Sequence, residues 1–210
     1  NFKEQMIDQE LEDFGFSRAY KKIYYFDQRV GLGSKLSGKV VLDVGSSTGG
    51  FTKFALEKGA KKVVAVEIGT NQMDYSLVRD KRVKLYEKTD IFNVTTKDDF
   101  VKLNKKVIQS VDVAVVDVSF ISCREVLLHL KRCVLNPNSC IILLFKPQFE
   151  AKESELNKGI IKNSNIRRKI IKDFETWLKL NKFLTEEKMD SELAGLKGNV
   201  ERFYLLRLGK

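Results

Sequence analysis

The sequence predicts an α/β fold with a mostly parallel central sheet and helices on both faces. Three observations lead there. Short, continuous apolar runs recur along the chain, at 40–44 (VVLDV), 62–67 (KVVAVE), 111–116 (VDVAVV) and 139–146 (SCIILLFK). Runs of this kind mark strands buried on both faces, as parallel strands are. Stretches with helical spacing of apolar residues separate them, which is the alternation of an α/β protein. A glycine-rich turn, Gly45–Gly50, joins the first run to the helix that follows, and open α/β sheets bind ligands at such carboxyl strand ends.

The elements follow in order. Met6, Leu11 and Phe14 sit among charges in a helical opening segment, and Ser17 caps a second helix from Arg18 to about Val30. Gly31, Gly33 and Gly38 mark a turn region. Val40–Val44 is the first strand and Phe51–Lys58 a helix ended by Gly59. Lys62–Glu67 is a strand, Asn71–Arg79 a short helix, Val83–Tyr86 a strand and Thr96–Gln109 a helix. Val111–Val116 is the fourth strand, Arg124–Leu135 a helix and Ser139–Lys146 the fifth strand. Pro147 stops that run from continuing as a central ladder member. Arg167–Leu180 is an amphipathic helix carrying Ile170, Ile171, Phe174, Trp177 and Leu178. Val200–Leu208 returns as a final strand. The expected division is a helical segment over 1–38 and one α/β domain over 39–210, since 210 residues suit a single compact domain.

Composition excludes several classes. With 43% hydrophobic and 31% charged residues, wholesale disorder is excluded. Three cysteines without a CxxC, and one histidine, leave no zinc pattern and no disulfide scaffold, which suits a reducing cytoplasmic setting. His129, among Val126, Leu127, Leu130 and Val134 at helical spacing, reads as a helix-surface residue. The longest apolar run is Cys140–Phe145, against about 20 residues for a membrane span, so no membrane partner is expected. The balance of 38 basic to 28 acidic residues, a net +10, favours anionic partners.

The loop Asp43-Val44-Gly45-Ser46-Ser47-Thr48-Gly49-Gly50-Phe51 has three nucleotide-binding readings. A dinucleotide fingerprint needs a second glycine where Ser47 stands. A P-loop needs a lysine where Phe51 stands, although Gly45, Gly50 and Thr52 fit. The third is the acidic-x-Gly-x-x-x-Gly loop of S-adenosylmethionine-dependent methyltransferases, which faces an uncharged ribose and needs no lysine. Glu67, closing the second strand, stands where a carboxylate accepts from ribose hydroxyls. Asp90, after the third strand, stands where a polar group reads an adenine amine. At other strand ends lie Asp117, in Asp117-Val118-Ser119-Phe120, and Lys146, in Lys146-Pro147-Gln148-Phe149-Glu150. Asp117 is followed by none of the prolines of amino-directed methyltransferases, and no cysteine follows a proline as cytosine C5 chemistry requires. Glu201 follows Gly198-Asn199-Val200. A lysine and carboxylates at one sheet edge make a polar cluster in a cleft.

Taken together, Leu42–Thr52 (LDVGSSTGGFT), Gly59-Ala60, Arg79–Val83 (RDKRV), Asp117–Ser122 (DVSFIS), Lys146–Glu150 (KPQFE) and Gly198–Glu201 (GNVE) resemble the TlyA family of ribosomal-RNA 2′-O-methyltransferases. These are haemolysin A-like proteins with an FtsJ-like catalytic domain. The resemblance implies a Rossmann-like fold and S-adenosyl-L-methionine as methyl donor. It also implies a catalytic Lys-Asp-Lys-Glu tetrad, matched by Lys22, Asp117, Lys146 and Glu201. Lys22 lies in Ser17-Arg18-Ala19-Tyr20-Lys21-Lys22, which departs from the family pattern at Ala19, Tyr20 and Ile23, so Lys21 stays beside it as the alternative. Cofactor contacts would come from Asp43, Gly45, Ser46, Ser47, Thr48, Gly49, Gly50, Phe51, Glu67, Asp90 and Asp117, with no metal. The family's usual S4 RNA-binding domain is absent from this sequence, which is expected to hold the catalytic domain.

The implied partner is ribosomal RNA or a ribosomal subunit. Two cation sets are candidates for phosphate contact: Lys21, Lys22, Lys35 and Lys39, and Lys152, Lys158, Lys162, Arg167, Arg168, Lys169 and Lys172. The segment 151–164 is expected to form a substrate lip. Lys146 is the candidate group that deprotonates or orients the ribose hydroxyl. Alternatives are a non-catalytic RNA- or ribosome-binding module of the same fold, a small-molecule methyltransferase and, least supported, a membrane-active haemolysin.

Overall fold

The computed structural model describes residues 17–97 and 106–209. Helix α1 spans Arg18–Val30 and short α2 spans Gly33–Leu36. The Rossmann-like core follows: β1 (Val40–Val44), α3 (Gly50–Glu57), β2 (Lys62–Val66), α4 (Tyr75–Val78) and β3 (Val83–Tyr86). Two-residue strands β4 (Val94–Thr95) and β5 (Lys106–Val107) precede β6 (Val111–Val116), α5 (Cys123–His129) and β7 (Leu135–Phe145). A hairpin, β8 (Leu156–Asn157) with β9 (Ile160–Ile161), leads to α6 (Ser164–Leu180), β10 (Phe183–Asp190) and β11 (Arg202–Leu208).

The main sheet has seven strands in the order β10-β11-β7-β6-β1-β2-β3. The five from β7 to β3 run parallel, and β11 and β10 close the other edge antiparallel. From β1 the chain builds outward to β3, then crosses back to lay β6 on the other side of β1. The β1/β6 junction is therefore the topological switch point, where such sheets open a ligand crevice. Each central strand feeds two cores. Leu42, Val64, Val116 and Leu143 face one side, with Val126 and Leu127 of α5 and Phe174 of α6. Val41, Val63, Val115 and Ile142 face the other, with Ile23 and Phe26 of α1 and Phe54 of α3. This double burial is why the strands read as unbroken apolar runs.

Helix α1 forms as expected. The Ser17 hydroxyl accepts from Tyr20 N, and Gly31 ends the helix in the left-handed conformation at φ 70°. The helix lies on the sheet, with Phe26 stacked on Phe203 of β11 at 4.7 Å. Met6, Leu11 and Phe14 lie outside the described residues.

Several expectations are corrected. The helix expected over Asn71–Arg79 shrinks to α4, because Asp74 caps it late by accepting from Ser76 N. No helix appears in the described part of Thr96–Gln109. There β4 pairs with β5, and the Thr95 and Thr96 hydroxyls donate to the Cys133 and Val134 carbonyls, holding the chain extended. The rest of that stretch lies outside the described residues. The helix expected over Arg124–Leu135 is α5 followed by a π-helical turn, Leu130–Val134, and Leu135 already belongs to β7. Strand β10 was not expected: Leu184, Thr185, Glu187 and Lys188 are exposed, and its edge position demands no apolar run.

Candidate active site

The switch point places Gly45, at the end of β1, against Asp117, at the end of β6. Asp117 N donates to the Val44 carbonyl at 3.0 Å. Gly45 has φ 80°, and a β-carbon there would collide with the Asp117 carbonyl oxygen. Only glycine meets both demands. The loop then turns through Ser47 at φ 47° and Gly49 at φ 93° into α3. Gly50 is where α1 crosses α3: a β-carbon would stand 2.7 Å from Tyr20 N and 2.9 Å from Ala19 Cβ.

Next to this loop opens a cleft of about 390 Å³. Of the loop residues expected to hold a cofactor, Gly45 and Ser47 line it, as do Glu67, Asp90 and Asp117. Ser46 is buried, with a hydroxyl that has no protein partner. The Thr48 carbonyl accepts from Asp74 N. Gly49 is buried beside Leu77 and Met73, and Phe51 points into the core against Phe203. These last residues shape the loop and do not face the cleft.

Glu67 accepts from Ser47 N at 2.8 Å and Gly69 N at 2.7 Å, which pins its carboxylate at the rim. A carboxylate has about four acceptor sites, so two remain for a vicinal diol. Asp90 accepts from Phe92 N and stays exposed beside the cleft. Asp43 is 1% exposed and takes a 2.6 Å hydrogen bond from the Thr52 hydroxyl on one oxygen only. Burial pushes its carboxyl up to about 7, with the Asp117 and Glu67 charges adding to the rise and Thr52 opposing it. The unpartnered Asp43 Oδ1 and Ser46 Oγ are buried polar atoms of the kind that a bound polar group satisfies. Apolar Ile68, Val118 and Ile121 complete walls suited to a flat base. This donor set fits S-adenosyl-L-methionine: a diol partner, orphaned acceptors near the loop and an apolar slot.

Beyond the cleft's Asp117 side lie the four residues of the expected tetrad, as two ion pairs. Lys146 Nζ stands 2.6 Å from Asp117 Oδ1 and donates to Ser119 Oγ at 2.8 Å. Lys22 Nζ donates to Glu201 Oε2 at 2.7 Å, both side chains nearly buried. Strand register explains the convergence. Arg202 of β11 pairs with Phe145 of β7, so Glu201 comes level with Lys146 one residue on. Gln148 Nε2 donates to Glu201 Oε1 at 3.1 Å and ties the Lys146 segment to the second pair. Of the two candidate lysines, Lys22 is the one that meets Glu201.

Sequence reasoning passed over Ser119, Gln148, Ile68 and Phe120 as site residues. The first two lie inside quoted motifs. Ile68, 74% exposed, and Phe120, 88% exposed and 5.1 Å from the Phe149 ring, are large apolar side chains beside polar strand ends. His129 is far from this chemistry in role: its Nε2 lies 2.9 Å from the Val94 carbonyl and its ring packs on Phe92. Among the described residues no group could hold a metal ion, and no helix is long and apolar enough to cross a membrane.

Known proteins resemble this chain in sequence and in fold. A model of the FtsJ-like methyltransferase family matches residues 16–208. The chain is 38% identical over 171 residues to the "Putative rRNA methyltransferase YqxC" of Bacillus subtilis, covering 81% of this chain and 57% of that protein. It is 34% identical over 196 residues to the 23S rRNA (cytidine-2′-O)-methyltransferase TlyA of Campylobacter jejuni, covering 92% of this chain and 71% of that one. Among solved structures, a "putative hemolysin" from Streptococcus thermophilus superposes with a TM-score of 0.81 at 30% identity, over 92% of this chain and 67% of that one. This chain thus spans little more than half the length of the first of these relatives. A family model matched over residues 16–208, with relatives at 34–38% identity, makes this protein a member of the FtsJ-like methyltransferase family, alongside relatives named TlyA.

Proposed function

We propose that this protein transfers a methyl group from S-adenosyl-L-methionine to a ribose 2′-hydroxyl of ribosomal RNA. The observation that carries the reading is Lys146, held by Asp117 and Ser119 at the rim of the cleft. Glu67 would accept from the ribose diol of the cofactor, and Asp43, Ser46 and Ser47 would face its polar end. The cofactor supplies an activated methyl group. The chain must therefore align the acceptor oxygen with it, and alignment is where such a site gains most of its rate. Lys146 orients the hydroxyl and faces its departing proton, with Asp117 fixing the lysine. Lys22 and Glu201 brace the same edge through Gln148.

The relatives' names point to ribose in ribosomal RNA, and surface features support RNA. Phe120 offers an exposed aromatic face for a base lifted from its stack, the usual mode of reading single-stranded RNA. Lys152, Lys158, Lys162, Arg168, Lys169 and Lys172 are exposed and available to phosphates. Arg167 leaves the expected set, because it pairs with Asp190 at 2.7 Å. Lys35 is likewise paired with Glu186.

The deciding experiment incubates the protein with methyl-tritiated cofactor and ribosomal subunits and maps the label. Label on a ribose 2′-oxygen is expected. Label on a base, or on protein alone, would overturn the reading.

A further inference from the structure

We propose that Glu150 is a positioning residue for methyl transfer, the clasp that holds the 117–122 loop against the end of β7. The inference rests on the reading of Lys146 as the residue at the reacting hydroxyl.

The loop is fastened at both ends to the five residues that follow β7. At its start, Asp117 and Ser119 meet Lys146 Nζ. At its end, Glu150 accepts from Ser122 Oγ at 2.9–3.0 Å and from Cys123 N at 2.8 Å. Arg124 lies 3.3 Å from the same carboxylate and covers the rings of Phe174 and Trp177 at 5.8 and 5.7 Å. The Glu150 side chain is 7% exposed, so these contacts are shielded from water and screened little.

Between the two fastenings the loop is under strain. Phe120 adopts φ 67°, a left-handed backbone that a non-glycine residue keeps only when its surroundings impose it. Residues 118–121 also form one wall of the cleft. Release at Glu150 would let the loop relax, and Ser119 and Asp117 would shift relative to Lys146. Displacement by about 1 Å at such a site can cost about 100-fold in rate. The polar contacts expected for the cofactor, at Glu67 and the glycine loop, belong to different elements and would stay in place, while Val118 and Ile121, which wall the base slot, would shift with the loop. Glu150 thus acts on rate through geometry, without touching cofactor or substrate.

Single-turnover methylation rates, cofactor affinity and amide hydrogen exchange over 118–123 would be measured for the wild type, Glu150→Ala, Glu150→Gln, Arg124→Met and Lys146→Ala. Glu150→Ala should lose about 10- to 100-fold in rate, with a smaller loss of cofactor affinity than of rate and faster exchange at the Cys123 amide. Glu150→Gln keeps an acceptor for that amide and should recover most of the rate. Arg124→Met should lower thermal stability and leave the rate near wild type. If Glu150→Ala does not fold, Ser122→Ala removes one donor and should give an intermediate rate loss. The clasp is overturned by wild-type rates in Glu150→Ala, or in Ser122→Ala where that variant stands in. It is also overturned if Glu150→Gln or Arg124→Met is as slow as Glu150→Ala. An inactive wild type, or turnover in Lys146→Ala, would instead sink the underlying reading. Hydrogen exchange at Cys123 still reports the clasp in that case.

Discussion

Asp43 carries a carboxyl whose ionisation opposes folding. Its folded value of about 7 lies above the ordinary 3.8. A raised carboxyl favours the folded state below pH 3.8, and that contribution is lost as the pH climbs through 7. At about 1.4 kcal/mol per pH unit, the full cost is on the order of 4 kcal/mol. Asp43→Asn keeps an acceptor for Thr52 and removes the charge. Urea unfolding of the cofactor-free protein should therefore show the two proteins close in stability near pH 4, and the variant more stable by a few kcal/mol at pH 8. A gap that does not change with pH would contradict this. The sequence located Asp43 at the end of an apolar strand, but its burial depends on Thr52 and the neighbouring strands closing over it. Lys146 is similar: its oddness after five apolar residues is visible in one dimension, while its partners Asp117 and Ser119 lie 27 or more positions away.

The helix pair α1 and α3 shows how an element delivers a residue. Lys22 reaches Glu201 only because α1 lies close on Gly50. Gly50→Ala places a methyl group against the Tyr20 backbone, and backbone cannot step aside as a flexible side chain can. Overpacking of this kind costs about 1–3 kcal/mol. The variant should melt earlier and methylate more slowly, with cofactor affinity less affected than rate. An unchanged rate would mean that Lys22 is dispensable. The glycine was legible as part of a nucleotide-type loop, yet its partner is a helix 30 positions earlier in the chain. Strand β10 was illegible for the opposite reason: an edge strand needs only one neighbour and so leaves no apolar signature.

For the molecule as a whole, the net +10 divides into charges spent inside and charges left on the surface. Lys22, Lys58, Lys146, Arg167 and Arg202 are held in ion pairs within the fold. The exposed lysines at 152 and 158, near the β8–β9 hairpin, are free to meet phosphates sterically. RNA affinity should fall as salt rises, and replacing Lys152 and Lys158 together by Gln should weaken binding and flatten the salt slope by about 2, roughly one per phosphate contact. Filter binding at several ionic strengths reads this directly. An unchanged slope would place the RNA on another face.

By itself the sequence determined the strand–helix alternation, the glycine loop and the residue types at each strand end. Those are local patterns, fixed by periodicity and by turn chemistry along a few consecutive residues. Tertiary structure alone decided which of those ends meet. The crossover that lays β6 beside β1 brings Asp117 to Gly45, and the antiparallel pairing of β11 with β7 brings Glu201 level with Lys146. It also decided that Phe51 and Gly50 serve packing, and that Glu150 fastens the cleft loop. Such pairings depend on register and crossover direction, which couple residues far apart in the chain and leave no mark on either segment alone.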